Sequence, residues 1–400
     1  MRISIIFDNF GPYHYARLQA CAQHNELSAI QIHAKSSEYA WKNEKRETDF
    51  KLVTLFPEGT SRDAPPRELY RKISQALEDH RPEVVFIPGW SSRAALAALL
   101  WCRRHHIPAV CMSESTEWDE QRVAWKEWIK RKILGSFSTA LVGGRPHADY
   151  LVQLGFPAEK IFLGYDAVDN DYFATKALEA VGKKSELQKQ FGLPEKYFLA
   201  SARFIEKKNL CRLLEAYARY CDKIKKTKET PWHLVLLGDG PLRATLESQI
   251  TSLELQGQII LPGFQQYPDL PTYYALAGAF IHASTVEQWG LVVNEAMASG
   301  LPVLVSNRSG CASELVREGE NGFTFGPCDI EKLADLMRLI SCLDREARLR
   351  MGAESRRIIS QWSPRRFAAG VADAASRAVK TPAHGTSALD QFLLHMLMLK

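Results

Sequence analysis

The feature that most constrains this chain is an alternation of short apolar runs with helix-length amphipathic segments, and the alternation occurs twice. The first series contains the runs ISIIF, EVVFIPG, PAVCM and TALVGG, and the second, from near residue 196, contains YFLASA, WHLVLLG, IILPGF, AFIHAS and PVLVS. Such alternation predicts parallel βαβ units. The runs are almost continuously apolar, which predicts sheets covered by helices on both faces.

The two series of alternating apolar runs and amphipathic segments predict two domains. A length of 400 residues fits two or three domains of about 150 residues each. The polar segment 165–196 is interrupted by Gly and Pro, so we expect it to hold the domain boundary. The predicted fold class is therefore α/β, with two doubly wound Rossmann-like domains, 1–170 and 186–363, facing a central cleft.

A C-terminal helical segment is also predicted. Ser363 and Pro364 have the residue types of a helix cap and a first-turn proline. We expect the helices of about 364–400 to return to the N-terminal domain.

Composition excludes several classes of protein. Hydrophobic residues make up 46% and charged residues 24%, as in ordinary globular proteins. The eight cysteines form no Cys-x-x-Cys pair, which argues against zinc and redox motifs and predicts free thiols in the cytoplasm. The N-terminus is typical of a strand and a helix rather than a signal peptide, and no run of 18 apolar residues occurs. A net charge of +5 does not require nucleic acid, and no metal-ligand cluster is found.

Two turns of the second series carry groups suited to phosphate. Arg203 and Lys208 follow the run YFLASA, at the edge of the sheet where ligands bind in such folds. Gly290 begins the predicted helix GLVVNEAMASG, whose first N–H groups, on Gly290, Leu291 and Val292, have no partner within the helix. Together these predict an anion site.

Two carboxylates lie beside this anion site, and they suit hydroxyl groups rather than phosphate. Glu287 is in the loop before the helix and Glu295 is in its second turn. A carboxylate accepts two hydrogen bonds, which fits the diol of a sugar. A sugar, phosphates and a ribose in this order describe a nucleotide sugar.

The turn after WHLVLLG contains Gly238, Gly240 and Pro241, but Arg243 stands where a dinucleotide fingerprint has its third glycine. A Gly-Lys-Ser phosphate loop is absent from the sequence as well. The missing dinucleotide fingerprint argues against a nicotinamide oxidoreductase.

Five motifs of the second half resemble the nucleotide-binding domain of glycosyltransferase family 4, the retaining enzymes of the GT-B architecture. They are ARFIEKKN (202–209), GDGPL (238–242), LPGF (261–264), STVEQWGLVVNEAMASGLPVL (284–304) and NGFTF (321–325). The segment GYDAVDNDYF (164–173) resembles the inter-domain segment of the same family.

The resemblance implies roles for the matching residues. Arg203 and Lys208 would hold the diphosphate, Glu287 the transferred sugar and Glu295 the ribose. The backbone of Gly290, Leu291 and Val292 would contact sugar and phosphate. Gly238, Gly263 and Phe264 would complete the donor site, with the last two beside the base.

The resemblance also implies the chemistry. The donor would be a UDP- or GDP-sugar, and no metal or other cofactor would be required. The acceptor would be a hydroxyl of a glycan, a lipid-linked glycan or a small molecule, and its oxygen would attack the donor sugar from the front face, with retention.

The acceptor side is predicted from the first half. Gly11, Tyr13 and His14 follow the first strand, and an ordinary structural role for Tyr13 and His14 stays open. Many relatives have a histidine after the PAVCM strand, where this chain has SESTEWDE. Glu114, or alternatively Glu117 or Asp119, would then take its place.

The basic and aromatic segment 122–134 fits two descriptions. It is either a peripheral contact with an anionic membrane, at the inner face, or one covering helix of the sheet. For the whole chain, a nucleotide-sugar epimerase and a catalytically silent nucleotide-sugar binder also stay open.

Overall fold

The computed structural model of the chain describes residues 1–34, 47–58, 65–227, 229–381 and 394–398. The described residues divide into two compact units. One comprises Met1–Val168 with the described residues from Ser363 onward, and the other comprises Asp169–Trp362. Each unit is built on one parallel sheet, so the α/β fold predicted from the alternating pattern is confirmed.

The first unit has a parallel sheet with the order β3-β2-β1-β4-β5-β6-β7. Its strands are β1 (Arg2–Phe7), β2 (Glu26–His33), β3 (Lys51–Phe56), β4 (Val84–Pro88), β5 (Ala109–Ser113), β6 (Thr139–Val142) and β7 (Ile161–Leu163). The helices that alternate with them are α1 (Pro12–Ala22), α2 (Pro66–His80), α3 (Arg93–Arg104), α4 (Ala124–Leu134) and α5 (Arg145–Gln153).

The second unit has a parallel sheet with the order β10-β9-β8-β11-β12-β13. Its strands are β8 (Tyr197–Ser201), β9 (His233–Leu237), β10 (Ile259–Gly263), β11 (Ala279–His282), β12 (Val303–Ser306) and β13 (Gly322–Phe325). Its helices are α6 (Asn170–Gly182), α7 (Lys184–Phe191), α8 (Leu210–Lys225), α9 (Arg243–Ser252), α10 (Leu270–Leu276), α11 (Leu291–Ala298), α12 (Ala312–Leu315), α13 (Ile330–Cys342) and α14 (Arg345–Ile359).

The last long helix, α15 (Pro364–Lys380), packs against the first unit, as expected. Phe367 and Val371 lie in the same core as Ile3 and Ile5 of β1. Ser363 is at the cap position of α15, but its side chain accepts no capping hydrogen bond, contrary to the expectation from its residue type. The short helical stretch 394–398 also packs on this unit, through Leu394 and Met398.

The segment 165–196, in which the boundary was expected, is largely helical. The units divide between Val168 and Asp169, and α6 and α7 both belong to the second unit. Asp169 caps α6 by accepting a hydrogen bond from the N–H of Tyr172 at 3.0 Å. The ring of Tyr172 then stacks on Tyr267, with centroids 5.0 Å apart, which fixes α6 on its unit.

Three strands of the first sheet were not among the apolar runs identified in the sequence. β2 carries buried Ser28 and Gln31, β3 is a half-exposed edge strand, and β7 has three residues. Their place in the sheet depends on neighbouring strands rather than on their own hydrophobicity.

In each sheet the strand order reverses at one point, between β1 and β4 in the first and between β8 and β11 in the second. The loops that leave these neighbouring strands diverge and open a crevice at their carboxyl ends, where ligands bind in doubly wound folds. Lys208 follows β8 and Glu287 follows β11, so the predicted donor residues lie at the reversal of the second sheet.

Candidate active site

Lys208 and Glu287 form an ion pair at this reversal. The Lys208 ammonium donates a hydrogen bond to Oε2 of Glu287. Their side chains are only 12% and 13% exposed, so the pair is largely withdrawn from water. A pair in such a position interacts more strongly than a surface pair, because solvent screens it less.

The turn that carries Lys208 is fastened to the ends of two other strands. Asn209 adopts a left-handed conformation, and its side-chain amide donates to the carbonyls of Ala283 at 3.0 Å and Pro327 at 2.7 Å. The N–H of Thr285 donates to the carbonyl of Lys207 at 2.9 Å. These contacts hold the turn against the loops that follow β11 and β13.

The segment that carries Arg203 is set by the glycines of the GDGP turn. A Cβ on Gly238, whose φ is +124°, would lie 1.8 Å from the carbonyl oxygen of Ala202. A Cβ on Gly240 would lie 2.8 Å from the carbonyl oxygen of Phe204. Glycine is therefore required here by the approach of one backbone to another.

Gly263 ends β10 beside this turn, and its carbonyl accepts a hydrogen bond from the N–H of Gly238 at 3.0 Å. A Cβ built on Gly263 would meet nothing within 4 Å. Phe264 follows and is half-buried. The predicted donor residues of β9 and β10 are thus neighbours at the carboxyl edge of the sheet.

Gly290 caps α11 with a φ of +106°, which favours glycine. The helix begins at Leu291, and the N–H groups of Leu291 and Val292 have no acceptor within the helix. This end of the helix carries a partial positive charge. It lies beside Glu287, because a Cβ on Gly290 would be 3.5 Å from Cγ of that residue.

Burial and the neighbouring charges together shift the pKa values of Lys208, Glu287 and His282. Burial lowers the pKa of Lys208 although Glu287 opposes the shift, and nearby Arg203 lowers it further. Burial alone would raise the pKa of Glu287, but the hydrogen bond from His282 and the charge of Lys208 outweigh it and hold that pKa well below its usual range. Burial also lowers the pKa of His282. At neutral pH the site therefore combines a carboxylate with a neutral imidazole.

Glu295 is buried in the second turn of α11. Its Oε2 accepts a hydrogen bond from the hydroxyl of Tyr274 at 2.6 Å. Burial and the charge of Glu295 raise the pKa of Tyr274 well above its usual range, so the tyrosine remains a donor. The ribose contact of Glu295 stays a prediction.

Sequence reasoning missed two polar residues of this cluster, His282 and Ser284. His282 ends β11, and its Nε2 lies 3.4 Å from Oε2 of Glu287. The Ser284 hydroxyl lies 3.3 Å from the same oxygen. A histidine at the carboxyl end of an otherwise apolar strand was the available signal.

In the first unit, the side chain of His14 closes the start of α1. The N–H of Gly11 donates to Nδ1 of His14 at 2.9 Å, and the His14 ring packs edge-on against Phe7 with centroids 4.4 Å apart. Burial, with the nearby Arg17, lowers the pKa of His14. These contacts favour the structural role that the sequence left open. Tyr13 is half-buried in the same first turn.

Glu114 follows β5 and interacts with a second carboxyl group, that of Asp166. Burial raises the pKa of Asp166 well above its usual range, and the nearby charge of Glu114 raises it further. Of the alternatives, Glu117 is exposed and Asp119 pairs with Arg122.

Helix α4 confirms that the basic aromatic segment is helical. Ile133 and Leu134 are buried in the core of the first unit. The side chains of Trp125 and Trp128, in contrast, are 61% and 51% exposed. One end of the helix thus covers the sheet, while two large aromatic residues face solvent.

Some of the basic residues around α4 are paired with acidic ones. Lys130 contacts Glu120 at 2.5 Å and Glu127 at 3.0 Å, and Arg122 contacts Glu120 at 3.2 Å. Tyr150 donates to Glu127 at 2.8 Å. This network fixes α4 on the first unit and leaves fewer cations for an outside partner.

Within the described ranges, no helix has the length and apolar character needed to cross a bilayer. No group of three or more histidine, cysteine, aspartate or glutamate residues in that part of the chain is arranged to hold a metal ion. All eight cysteines are free thiols.

Two family models match the chain. The model of glycosyl transferases group 1 matches residues 183–358, and that of the glycosyl transferase 4-like domain matches residues 39–163. The residues discussed above as donor side fall in the first match, and Glu114 falls in the second.

Two relatives are similar to this chain in sequence. The alpha-monoglucosyldiacylglycerol synthase of Streptococcus pneumoniae is 36% identical over 121 residues, 30% of this chain and 26% of that enzyme. The GDP-mannose-dependent alpha-(1-6)-phosphatidylinositol monomannoside mannosyltransferase of Mycobacterium tuberculosis is 26% identical over 317 residues, 76% of this chain and 78% of that enzyme.

Anabaena HepE, solved with UDP and glucose, has the same fold, with a TM-score of 0.72 at 19% identity over 94% of this chain and 99% of that one. The family models and relatives agree with the motifs first read from the sequence, and the chain belongs to the GT4-type glycosyltransferases.

Proposed function

We propose that this chain transfers a sugar from a UDP- or GDP-sugar to a hydroxyl acceptor, with retention of configuration. The observation that carries the proposal is the Lys208–Glu287 ion pair beside the first turn of α11. It brings together a cation and free N–H groups for a diphosphate with a carboxylate for sugar hydroxyls.

The diphosphate is assigned to Arg203, Lys208 and the start of α11. When the bond from the sugar to the diphosphate breaks, its electron pair leaves with the diphosphate. Donors fixed where this charge develops stabilise the transition state more than the ground state. Burial is the main cause of the lowered pKa of Lys208, and the charge of Arg203 contributes to it, which supports a joint role of the two cations.

The sugar is assigned to Glu287. Lys208, Ser284 and His282 all contact its Oε2. Among the described residues Oε1 has no hydrogen-bond partner, so it is available to a hydroxyl. Glu295 is assigned to the ribose, and Gly238, Gly263 and Phe264 to the nucleoside side.

The reaction is proposed to proceed by front-face attack. The acceptor oxygen forms a bond to the anomeric carbon on the side that the diphosphate leaves, and the acceptor proton passes to the departing phosphate. The proposal includes no resident metal and no other cofactor.

For the acceptor we propose a glycan or glycolipid hydroxyl, recognised from the first unit by Gly11, Tyr13 and Glu114. The relatives from Streptococcus pneumoniae and Mycobacterium tuberculosis are named for lipid products or substrates. The exposed rings of Trp125 and Trp128 support contact with an anionic membrane through 122–134. The free thiols support a cytoplasmic location, at the inner face of the membrane.

Incubation of the full chain with UDP- and GDP-sugars and with glycan and lipid acceptors tests the proposal. We expect a product heavier by one sugar, with the anomeric configuration of the donor by NMR. UDP or GDP should raise the melting temperature, since a ligand of the native state stabilises it, and NAD should not.

Each competing function gives a different result in this experiment. An isomerised sugar nucleotide without transfer indicates an epimerase. Binding of nucleotide sugars without any product across the acceptors indicates a silent binder, and stabilisation by NAD alone indicates an oxidoreductase.

A further inference from the structure

The contacts of Glu287 are unequally divided between its two carboxylate oxygens. Lys208, Ser284 and His282 all approach Oε2, and in the described part of the chain no donor approaches Oε1. A carboxylate held by several donors on one oxygen keeps its rotamer and presents the other oxygen in a fixed direction. Fixing a group in advance lowers the cost of ordering it when a ligand binds.

His282 lies where it can hold Oε2 of Glu287. It is the last residue of β11, and its side chain is 2% exposed. The ring lies under the start of α11, because a Cβ on Gly290 would be only 3.2 Å from Nε2. Its Nε2 is thus close both to the carboxylate and to the helix that follows.

The imidazole can donate to Glu287 while remaining neutral. Nε2 lies 3.4 Å from Oε2 of Glu287, and the Ser284 hydroxyl lies 3.3 Å from both. With its proton on Nε2, the ring donates toward the carboxylate. Lys208 supplies the charge on the other side of the same oxygen.

We propose that His282 is a positioning residue of the transfer reaction, which holds Oε2 of Glu287 so that Oε1 receives a hydroxyl of the transferred sugar. This inference rests on the proposed function. It predicts that His282 affects binding of the sugar and leaves binding of the nucleotide unchanged, because other residues bind the nucleotide. A buried histidine with a purely structural role would affect both.

The variants are His282→Leu, which removes the donor, and His282→Gln, whose amide can donate in its place. His233→Leu is the matched control, since His233 begins β9 at the opposite end of the same sheet. We expect His282→Leu to lower kcat/KM about tenfold to a hundredfold, the usual size of losing a hydrogen bond to a charged group. His282→Gln should recover most of the loss, and His233→Leu should be near wild type.

Two measurements separate positioning from structure. Calorimetry should show unchanged binding of free UDP or GDP to His282→Leu, with weaker binding of the sugar nucleotide. In a double-mutant cycle with Glu287→Ala, the second substitution should add little, because His282 acts through Glu287. Equal loss of nucleotide and sugar-nucleotide binding, or losses that multiply in the cycle, would overturn the proposal.

A spectroscopic measurement keeps the test independent of turnover. In ¹H–¹⁵N spectra of the histidine rings, with the His282 signal identified from its loss in His282→Gln, we expect the Nε2–H tautomer and a shift of Nε2 in Glu287→Gln. A Nδ1–H tautomer, or a signal indifferent to Glu287→Gln, would contradict the contact. If wild type transfers no sugar but the spectra agree, the proposed function fails while the contact stands.

Discussion

Lys208 and Glu287 are 79 residues apart in the chain and form one ion pair. They meet because β8 and β11 are neighbours at the point where the strand order of the second sheet reverses. The pair places a cation for a diphosphate beside a carboxylate whose Oε1 can accept from a sugar hydroxyl. The pair therefore accounts for both halves of the proposed donor.

Replacement of Lys208 by alanine tests the cationic half. We expect turnover to fall by roughly 10²–10³, as for loss of one group that stabilises developing charge. Lys207→Ala is the matched control, since Lys207 is the exposed neighbour with the same charge. Steady-state kinetics decides, and equal rates for the two variants would exclude the role of Lys208.

Replacement of Gly238 by alanine tests the packing of the GDGP turn. The added Cβ would collide with the carbonyl of Ala202 and would adopt a strained φ of +124°. Gly257→Ala isolates the strain, because its φ is +76° and nothing lies within 4 Å. We expect Gly238→Ala to lower the melting temperature clearly more than Gly257→Ala. Equal shifts would mean that the close approach is unimportant.

The buried carboxyl of Asp166 predicts a pH dependence of stability. Its pKa in the folded chain is raised, above about 3.9 for an unfolded aspartate. As pH rises from about 4 toward the folded pKa, the unfolded chain releases this proton while the folded chain keeps it, so stability is lost.

Asp166→Asn removes this titration. The melting temperature of Asp166→Asn, relative to that of wild type, should rise as pH is raised from about 4.5 to about 7.5, a range that lies above the unfolded pKa of about 3.9. Asp149→Asn, at an exposed site on α5, is the matched control for the substitution itself. If the difference in melting temperature between Asp166→Asn and wild type stays constant or changes in the opposite direction as pH rises, the raised pKa of Asp166 is contradicted.

The two exposed tryptophans of α4 predict membrane binding. Trp125→Ala and Trp128→Ala should each reduce sedimentation with vesicles of anionic lipid, because aromatic rings insert at the interface. Leu178→Ala, at a residue 65% exposed on α6, is the matched control. Failure of wild type to bind anionic vesicles at low salt would remove the membrane contact and leave α4 as a covering helix.

The fold could be predicted from the sequence wherever strands are continuous apolar runs. β8, β9, β11 and β12 are of this kind, and the predicted family and α/β class are confirmed. β2 escaped notice because Ser28 and Gln31 interrupt its apolar pattern, although both are buried. Gln31 donates to the hydroxyl of Thr54 in β3 at 2.7 Å, and local hydrophobicity cannot report a contact of this kind with a neighbouring strand.

The sequence predicted which loops carry the site residues, but it did not predict the contacts between their side chains. Arg203, Lys208 and Glu287 could be assigned to one edge because parallel strands end together. The hydrogen bond from Tyr274 to Glu295 and the approach of His282 to Glu287 depend on tertiary packing. No regular sequence spacing predicts either contact, so only the structure could show them.

The most direct test of the central claim is a crystal structure of the chain with a UDP- or GDP-sugar bound. We expect phosphate oxygens within about 3 Å of Lys208 Nζ and of the Arg203 guanidinium, with a sugar hydroxyl at the same distance from Oε1 of Glu287. A diphosphate bound away from these cations, or a sugar that makes no contact with Glu287, would contradict the account.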